Sequence, residues 1–322
     1  MVRIITPGTI SEEALLDANN ENLIACLVGS TELWGLAFLD ISSGRFEVEE
    51  LNNQDTLRDE LNRLRPAELI TSDAVEHPAI VTSHAGFRPR PAWEFDGTSA
   101  RSCLIKQYRI HDLRSLNFSD RYLAISAAGC LLKYVKETQK TELPHIQIPK
   151  LLDPQDTVII DAASRRNLEL DVSISGQGAT LFDVLNNTGT AMGGRLLRRW
   201  INTPIRNTKT KEARLDAIEH LLKDYSYEKL TPCLRQIGDI ERILARVALH
   251  TARPRDLARL RDSLLVLPSL RGQLIDIQAP RILELAALCM PEPNIVRELE
   301  NAIVNNPPVV IRDGNVIAAG YD

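Results

Sequence analysis

The hydrophobic pattern of the first part of the chain predicts a β-sheet. Three short apolar segments have the length and composition of strands: Leu23–Val28, Leu33–Asp40 and Arg45–Glu50. In the third, Phe46 and Val48 alternate with charged residues, which is typical of a strand that buries one face. Ser42-Ser43-Gly44 has the composition of a turn. We therefore predict an antiparallel meander of three strands.

A helix and a fourth strand follow the meander. Thr56–Arg65 is a candidate helix, and the proline that follows it would end the helix. Ala67–Thr71 is predicted to form a short strand. Three antiparallel strands, a helix and a further strand predict an α/β sheet similar to that of ribonuclease H. Ser119–Thr138 predicts a long helix whose aliphatic face packs on the sheet or bridges to the next domain. At the start, residues 9–12 fit a capping box for a helix that reaches residue 16.

Helical periodicity dominates the second half of the chain. The candidate helices are Thr180–Leu185, Ala191–Ile201, Lys209–Leu222, Leu234–Val247, Arg255–Val266, Arg281–Met290 and Asn294–Ile303. Near the end, two apolar triplets flank Asp313-Gly314 and predict a small hairpin. The predicted fold class is thus an α/β, ribonuclease-H-like domain at residues 1–140, followed by an all-α helical domain with a small C-terminal hairpin at residues 141–322.

A basic helical block lies within this acidic protein. Between Arg195 and Arg261 there are 16 Lys and Arg against 8 Asp and Glu, whereas the whole chain has a net charge of −5. We define the block by Arg195, Arg199, Asp239, Glu241, Arg242, Arg246, Arg253, Arg255 and Asp256. Helical spacing allows three interpretations: a solvated, salt-bridged face, a buried ion network between helices, or a surface that faces phosphates.

Chemistry-bearing motifs are sparse in the sequence. It contains no G-x-x-x-x-G-K-[ST] phosphate-binding loop, its six histidines are scattered, and its five cysteines form no C-x-x-C pair. It also has no apolar run long enough for a membrane span. One enzymatic hypothesis is open: Asp40, at the end of a strand, could be the first carboxylate of a two-metal nuclease site, joined by Asp73 or Glu12. The alternative is that Asp40 caps the turn at Ser42-Ser43-Gly44.

Two long runs carry a family resemblance. TLFDVLNNTGTAMGGRLLRRWINTP at residues 180–204 and RQIGDIERILARVALHTARPRDL at residues 235–257 resemble the MutS family of bacterial DNA mismatch-repair proteins. Shorter matches are Thr6-Pro7-Gly8-Thr9, Leu39–Gly44, Pro66–Leu69, Asp161-Ala162, Arg166–Glu169 and Arg312–Gly314. The matches occur in one order along the whole chain.

The resemblance implies a role as well as a fold. In MutS the corresponding regions are the connector and the helical core, which together couple the DNA-binding and ATPase domains. We therefore expect a central, non-catalytic piece of a mismatch-repair protein. Its connector would offer a docking surface for MutL on the segment Ser99–Tyr108, with Arg101, Lys106 and Gln107 polar and exposed.

Further expectations concern ligands and assembly. ATP and Mg²⁺ would be bound by the full-length protein and no cofactor by this piece. Mismatched double-stranded DNA would be bound in the full-length context, and weakly or not at all by the piece. The full-length protein would be a cytoplasmic dimer and the piece a monomer. The alternatives are a metal-dependent nuclease that uses Asp40, or salt-dependent, non-specific DNA binding through the basic helical block.

Overall fold

A six-stranded sheet with the order β5-β4-β1-β2-β3-β6 organises the first part of the protein. The computed structural model describes residues 3–30, 32–115, 118–176, 178–223 and 225–321. The strands are β1 (Leu23–Ser30), β2 (Leu33–Asp40), β3 (Arg45–Leu51), β4 (Glu68–Ser72), β5 (Phe87–Arg90) and β6 (Lys150–Leu151). β1, β2 and β3 are antiparallel, while β4, β5 and β6 each pair in parallel with a neighbour. The predicted meander and fourth strand are confirmed.

One helix packs on each face of this sheet. In order along this part of the chain, the helices are α1 (Gln54–Leu64), α2 (Ala79–Thr82), α3 (Gly97–Tyr108), α4 (Tyr122–Gln139), α5 (Ala162–Asn167) and α6 (Leu181–Leu185). One face packs on α1, with Trp34 and Leu36 of the sheet in the same buried cluster as Leu57 and Leu61 of the helix. The other face packs on α4. Gly35 permits this approach, since a Cβ there would lie 2.1 Å from the Leu123 carbonyl carbon.

Helices form the rest of the protein, as predicted. They are α7 (Ala191–Asn202), α8 (Thr208–Lys223), α9 (Ser226–Gln236), α10 (Ile240–Ala248), α11 (Pro254–Ile275), α12 (Pro280–Leu288) and α13 (Pro293–Ala302). The protein forms two compact units: unit 1 comprises Met1–Leu185 and Arg198–Pro204, and unit 2 comprises Asn186–Leu197 and Ile205–Asp322. The core of unit 2 is an apolar cluster that includes Ala217, Leu230, Leu270 and Ile282. The predicted domain boundary between residues 140 and 141 stays a prediction.

Three local predictions differ from the structure. Residues 9–16 do not form an α-helix; short 3₁₀ turns at Pro7–Thr9 and Glu13–Leu15 stand there. The predicted helix Leu234–Val247 is divided between α9 and α10. The predicted hairpin around Asp313-Gly314 is replaced by a longer-range pairing, in which Val304 N–H donates to the Val316 carbonyl at 3.1 Å. Among the residues that the structure describes, no helix is long and apolar enough to cross a membrane.

Candidate ion-pair network and partner surface

Arg195 is the centre of a buried ion-pair network in unit 2. It lies on α7 with a side chain that is 1% exposed. Its guanidinium donates two hydrogen bonds to Asp239, from Nη1 to Oδ2 at 2.7 Å and from Nη2 to Oδ1 at 2.8 Å. Nη2 also donates to Oε2 of Glu241 at 2.7 Å. Because a bidentate charged pair fixes orientation as well as distance, the network joins α7 firmly to the start of α10.

Both members of the central pair are held in their charged forms. Burial alone lowers the pKa of Arg195, but its hydrogen bonds to Asp239 and Glu241 outweigh burial and raise that pKa. For Asp239, burial alone would raise the pKa of the carboxyl. The Arg195 guanidinium outweighs burial, so the pKa of Asp239 lies below its usual range. Removing either partner would leave an uncompensated charge in a largely buried position, so each residue depends on the other.

Asp239 also caps α10. Its Oδ1 accepts a hydrogen bond from the Arg242 amide at 3.3 Å, which satisfies a backbone donor in the first turn of the helix. The preceding residue, Gly238, donates its amide to Oγ of Ser263 on α11 at 2.9 Å. A Cβ at Gly238 would lie 2.7 Å from Cγ of Arg259, so a larger residue would displace that side chain. Gly238 therefore allows a close approach to α11, and Asp239 anchors the network.

Two further arginines of the basic helical block are buried. Nε of Arg242 lies 3.7 Å from Oδ2 of Asp239. Arg246 donates to Asp256 twice, from Nε at 3.0 Å and from Nη2 at 2.6 Å, which joins α10 to the first turn of α11. Asp256 also accepts the Arg253 amide at 2.8 Å, close to the N-terminal end of α11. The Asp256 carboxylate thus caps the N-terminal end of α11 and also forms the ion pair with Arg246.

The structure distinguishes between the three interpretations of the block. The side chains of Arg195, Arg242 and Arg246 are buried, so they form neither a solvated face nor a surface that faces phosphates. For these three residues the arrangement is a buried ion network between helices. Arg253 and Arg255 are exposed, and Nε of Arg255 donates to the Pro307 carbonyl at 3.3 Å.

Arg199 lies apart from this network, in unit 1. Its Nη1 donates to Oε1 of Glu21 at 2.7 Å, and Oε2 of the same glutamate accepts Nη1 of Arg45 at 2.7 Å. The adjacent Arg198 stacks over the Phe182 ring, with its guanidinium carbon 3.9 Å from the ring centroid. The sequence grouped Arg195 and Arg199 because both are on one helix. The structure assigns them to different sets of partners.

The predicted partner residues on α3 are not equally accessible. Lys106 is exposed. Arg101 is half-buried and donates to the Ser119 carbonyl at 3.3 Å, and Gln107 is half-buried and donates to the Leu143 carbonyl at 3.1 Å. The expectation that all three are exposed is therefore correct for Lys106 alone. Arg101 and Gln107 tie α3 to neighbouring loops.

Asp40 is committed to a turn. It is fully buried, and its Oδ1 accepts both the amide and the hydroxyl of Ser42, at 2.8 and 2.7 Å. Its Oδ2 accepts the Ser43 hydroxyl at 3.1 Å. These bonds support the interpretation that Asp40 caps the turn before β3. Within the described part of the chain, no group of three His, Cys, Asp or Glu side chains is arranged to hold a metal ion.

One structural arginine was missed in the sequence. Arg261 on α11 is buried and donates from Nη1 to the carbonyls of Ile303 and Val304, at 3.0 and 3.3 Å. Nη2 reaches the Asn305 carbonyl at 3.4 Å. These contacts satisfy carbonyl groups at and just after the end of α13. The sequence did contain a signal for its burial: Arg261 lies four residues after Leu257 and three before Leu264, which places it on an apolar helix face.

Comparison with protein families covers most of the chain. A family model described as MutS domain II matches residues 22–147, the region of the sheet with α1 to α4. A second model, described as MutS domain III, matches residues 163–319, which include α7, α10 and the whole Arg195 network. The two matches follow one another without overlap.

Proposed function

The chain belongs to the MutS family of DNA mismatch-repair proteins, and we propose that it is a non-catalytic part that transmits conformational change and offers a docking surface to MutL. In this proposal, mismatch recognition and the binding of ATP and Mg²⁺ are carried out by other domains of a complete MutS protein. The chain itself then needs no cofactor. We further propose that it is a cytoplasmic monomer when isolated and forms part of a dimer in the complete protein.

The Arg195 network carries the proposal of transmission. Coupling between two distant ligands requires an element with discrete arrangements that the ligands stabilise differently. A buried guanidinium bound by two carboxylates favours discrete arrangements over intermediate ones, because a partial displacement breaks several charged hydrogen bonds at once. The network links α7 to α10, and Arg246 continues the link to α11. These three helices would therefore move as one body.

The transmission proposal is tested by Asp239→Asn in a complete MutS protein. Asparagine can still cap α10, so the helix should persist while the charge opposite Arg195 is lost. We expect mismatch affinity within about twofold of wild type, and ATP-triggered release of the DNA slowed about fivefold or more, the lower range of allosteric coupling. Arg253→Ala, at an exposed position, is the matched control. Unchanged release in Asp239→Asn would refute the proposal.

The exposed side of α3 supports the proposed MutL surface. Lys106 lies in the last turn of that helix, and the adjacent exposed residues are Ser102 and Arg109. Such a cationic surface suits a partner that presents acidic side chains. Reversing the charge of Lys106 changes this surface and removes a favourable electrostatic interaction with Glu142, but it leaves the hydrogen bonds of Arg101 and Gln107 in place. Reversing Arg101 would also break its bond to Ser119, so it is the less specific test.

Non-specific DNA binding is a second candidate function. The observation that favours it is a group of exposed cations near the first turn of α8: Arg206, Lys209 and Lys211. They, and not the buried Arg195, Arg242 and Arg246, could reach phosphates. Such binding would weaken steeply with salt, because each neutralised phosphate releases counterions.

A further inference from the structure

Residues 3–9, which we call the strap, run across unit 1 before the first strand. The Ile4 amide donates to the Thr138 carbonyl at 2.7 Å, and the Gln139 side chain donates to the Ile4 carbonyl at 3.3 Å. Both contacts are at the C-terminal end of α4. The other end of the strap closes into the 3₁₀ turn Pro7–Thr9, with the Thr6 amide donating to Oγ1 of Thr9 at 2.8 Å.

A buried carboxylate holds this second end. Oε1 of Glu68 accepts the Gly8 amide at 2.8 Å, and Oε2 accepts the Tyr134 hydroxyl at 2.6 Å. Glu68 is fully buried at the start of β4, and Tyr134 is on α4. Burial raises the pKa of Tyr134 to about 12, so its hydroxyl remains a donor at neutral pH. Glu68 therefore joins the strap, the sheet and α4 at one point.

Only glycine fits at position 8. A Cβ there would lie 2.3 Å from Cγ1 of Ile24, inside the core side chain of β1. The Gly8 amide comes within reach of Glu68 because the backbone approaches the sheet this closely. Two family motifs of the sequence, Thr6-Pro7-Gly8-Thr9 and Pro66–Leu69, thus meet in a single hydrogen bond.

The cost of opening this contact follows from the burial of Glu68. If the strap lifts, the carboxylate loses its amide donor while it stays under α4. A buried polar group that loses its hydrogen-bond partner destabilises the open state, and more so when the group is charged. The docked state is thus favoured by a definite but modest free energy, which suits a segment that opens locally while the sheet stays folded.

We propose that the strap is a latch, with docked and released states that the Glu68 carboxylate separates. Release frees the C-terminal end of α4, because the strap contacts Thr138, Gln139 and, through Glu68, Tyr134. Ile4 and Ile5 are exposed, so a ligand that binds them, or a pull on the chain at this point, would act directly on the strap. α3 packs against α4, so release would also reach the Lys106 surface. This last step rests on the proposed function, whereas the latch itself does not.

Amide hydrogen exchange tests the latch in the intact chain. Gly8→Ala should release the strap, so the amides of Ile4, Gly8 and Thr9 exchange about tenfold faster or more, while those paired between β1 and β2 are unchanged. Gly272→Ala is the matched control, because a Cβ at that position meets no atom within 4 Å. Adding Ile24→Ala to Gly8→Ala removes the obstructing atoms and should slow strap exchange again. Strap exchange within twofold of wild type in Gly8→Ala would overturn the latch.

A second variant separates the carboxylate from the steric fit. Tyr134→Phe removes one hydrogen bond to Glu68 and the side-chain hydrogen bond between Tyr134 and Thr6 of the strap, without adding any bulk. We expect strap exchange to rise at least about threefold, because the carboxylate loses a donor that orients it and the strap loses a direct contact. Unchanged strap exchange would contradict the role of the Glu68–Tyr134 pair in holding the strap. None of these measurements uses MutL or DNA, so they stand or fall separately from the proposed function.

Discussion

The carboxylate of Asp239 accepts hydrogen bonds from both terminal nitrogens of Arg195, a residue 44 positions earlier in the chain. The same carboxylate caps α10 through the Arg242 amide. One side chain therefore sets both where α10 begins and which helix it is bound to. The preceding Gly238 leaves room for the Arg259 side chain, and Asp239 then binds both Arg195 and the first turn of α10.

Asp239→Ala should destabilise unit 2. The change removes the cap and leaves the guanidinium of Arg195 buried with one carboxylate fewer. Losing one partner of a buried ion pair costs about 3–5 kcal/mol. Urea denaturation followed by circular dichroism measures this, with Arg253→Ala as an exposed control expected within about 0.5 kcal/mol of wild type. A loss below about 1 kcal/mol in Asp239→Ala would show that the network contributes little.

Glu49 should make the stability of unit 1 depend on pH. Burial raises the pKa of this carboxyl, with a further contribution from Glu60, while Arg63 opposes the shift and Glu47 adds to it. Because the folded-state pKa is raised, the stabilisation is fully present below the unfolded pKa of about 4.3 and is lost as pH rises through the folded value.

The glutamine variant isolates this effect. The glutamine in Glu49→Gln cannot ionise. The free energy of unfolding of this variant, relative to that of wild type, should therefore increase as pH rises above about 4.3. Denaturation midpoints of both proteins, measured at several pH values up to neutrality, give the difference. A difference that does not vary with pH would exclude Glu49 as the titrating group.

Asp40 should matter for stability and not for catalysis. Asp40→Ala removes three hydrogen-bond acceptor contacts at the turn, and we expect a loss of about 1–3 kcal/mol. With Mg²⁺ and an RNA–DNA hybrid, wild type and the milder Asp40→Asn should both lack nicking activity. Nicking by wild type that disappears in Asp40→Asn would instead establish the nuclease hypothesis.

DNA binding by the chain should be weak and indifferent to mismatches. Since Arg195, Arg242 and Arg246 are buried, the combined change Lys209→Glu and Lys211→Glu should lower the residual affinity and its salt dependence. Fluorescence anisotropy with matched and mismatched duplexes measures both. A preference for the mismatch above tenfold would contradict this account. Steady ATP hydrolysis by the pure chain would contradict it as well, since the sequence lacks a phosphate-binding loop.

Local signals were sufficient for most of the fold. Alternation in Arg45–Glu50 and the turn at Ser42-Ser43-Gly44 predicted the meander, and the predicted helix Arg255–Val266 lies within α11. The division of the predicted helix Leu234–Val247 has a physical cause. Periodicity continued through Gly238-Asp239 and concealed the break between α9 and α10, which long-range contacts to Ser263 and Arg195 stabilise.

The site was less accessible to sequence reasoning. Residue spacing placed Asp239, Arg242 and Arg246 on neighbouring helix faces, but it could not show that Arg195 would approach from another helix. Burial was also concealed, because an arginine with carboxylate partners and a solvated arginine have the same local spacing. The strap escaped notice because its contact with Glu68 joins residues 60 positions apart.

Calorimetric titration of the chain with a matching MutL protein tests the proposed docking most directly. We predict saturable binding that Lys106→Glu weakens about tenfold or more, as expected for a contact residue at an interface. Lys209→Glu, an equal charge reversal on an exposed lysine of unit 2, should leave the affinity within about twofold. Equal affinity for wild type and Lys106→Glu, or no binding at all, would contradict the proposal that α3 presents the MutL surface.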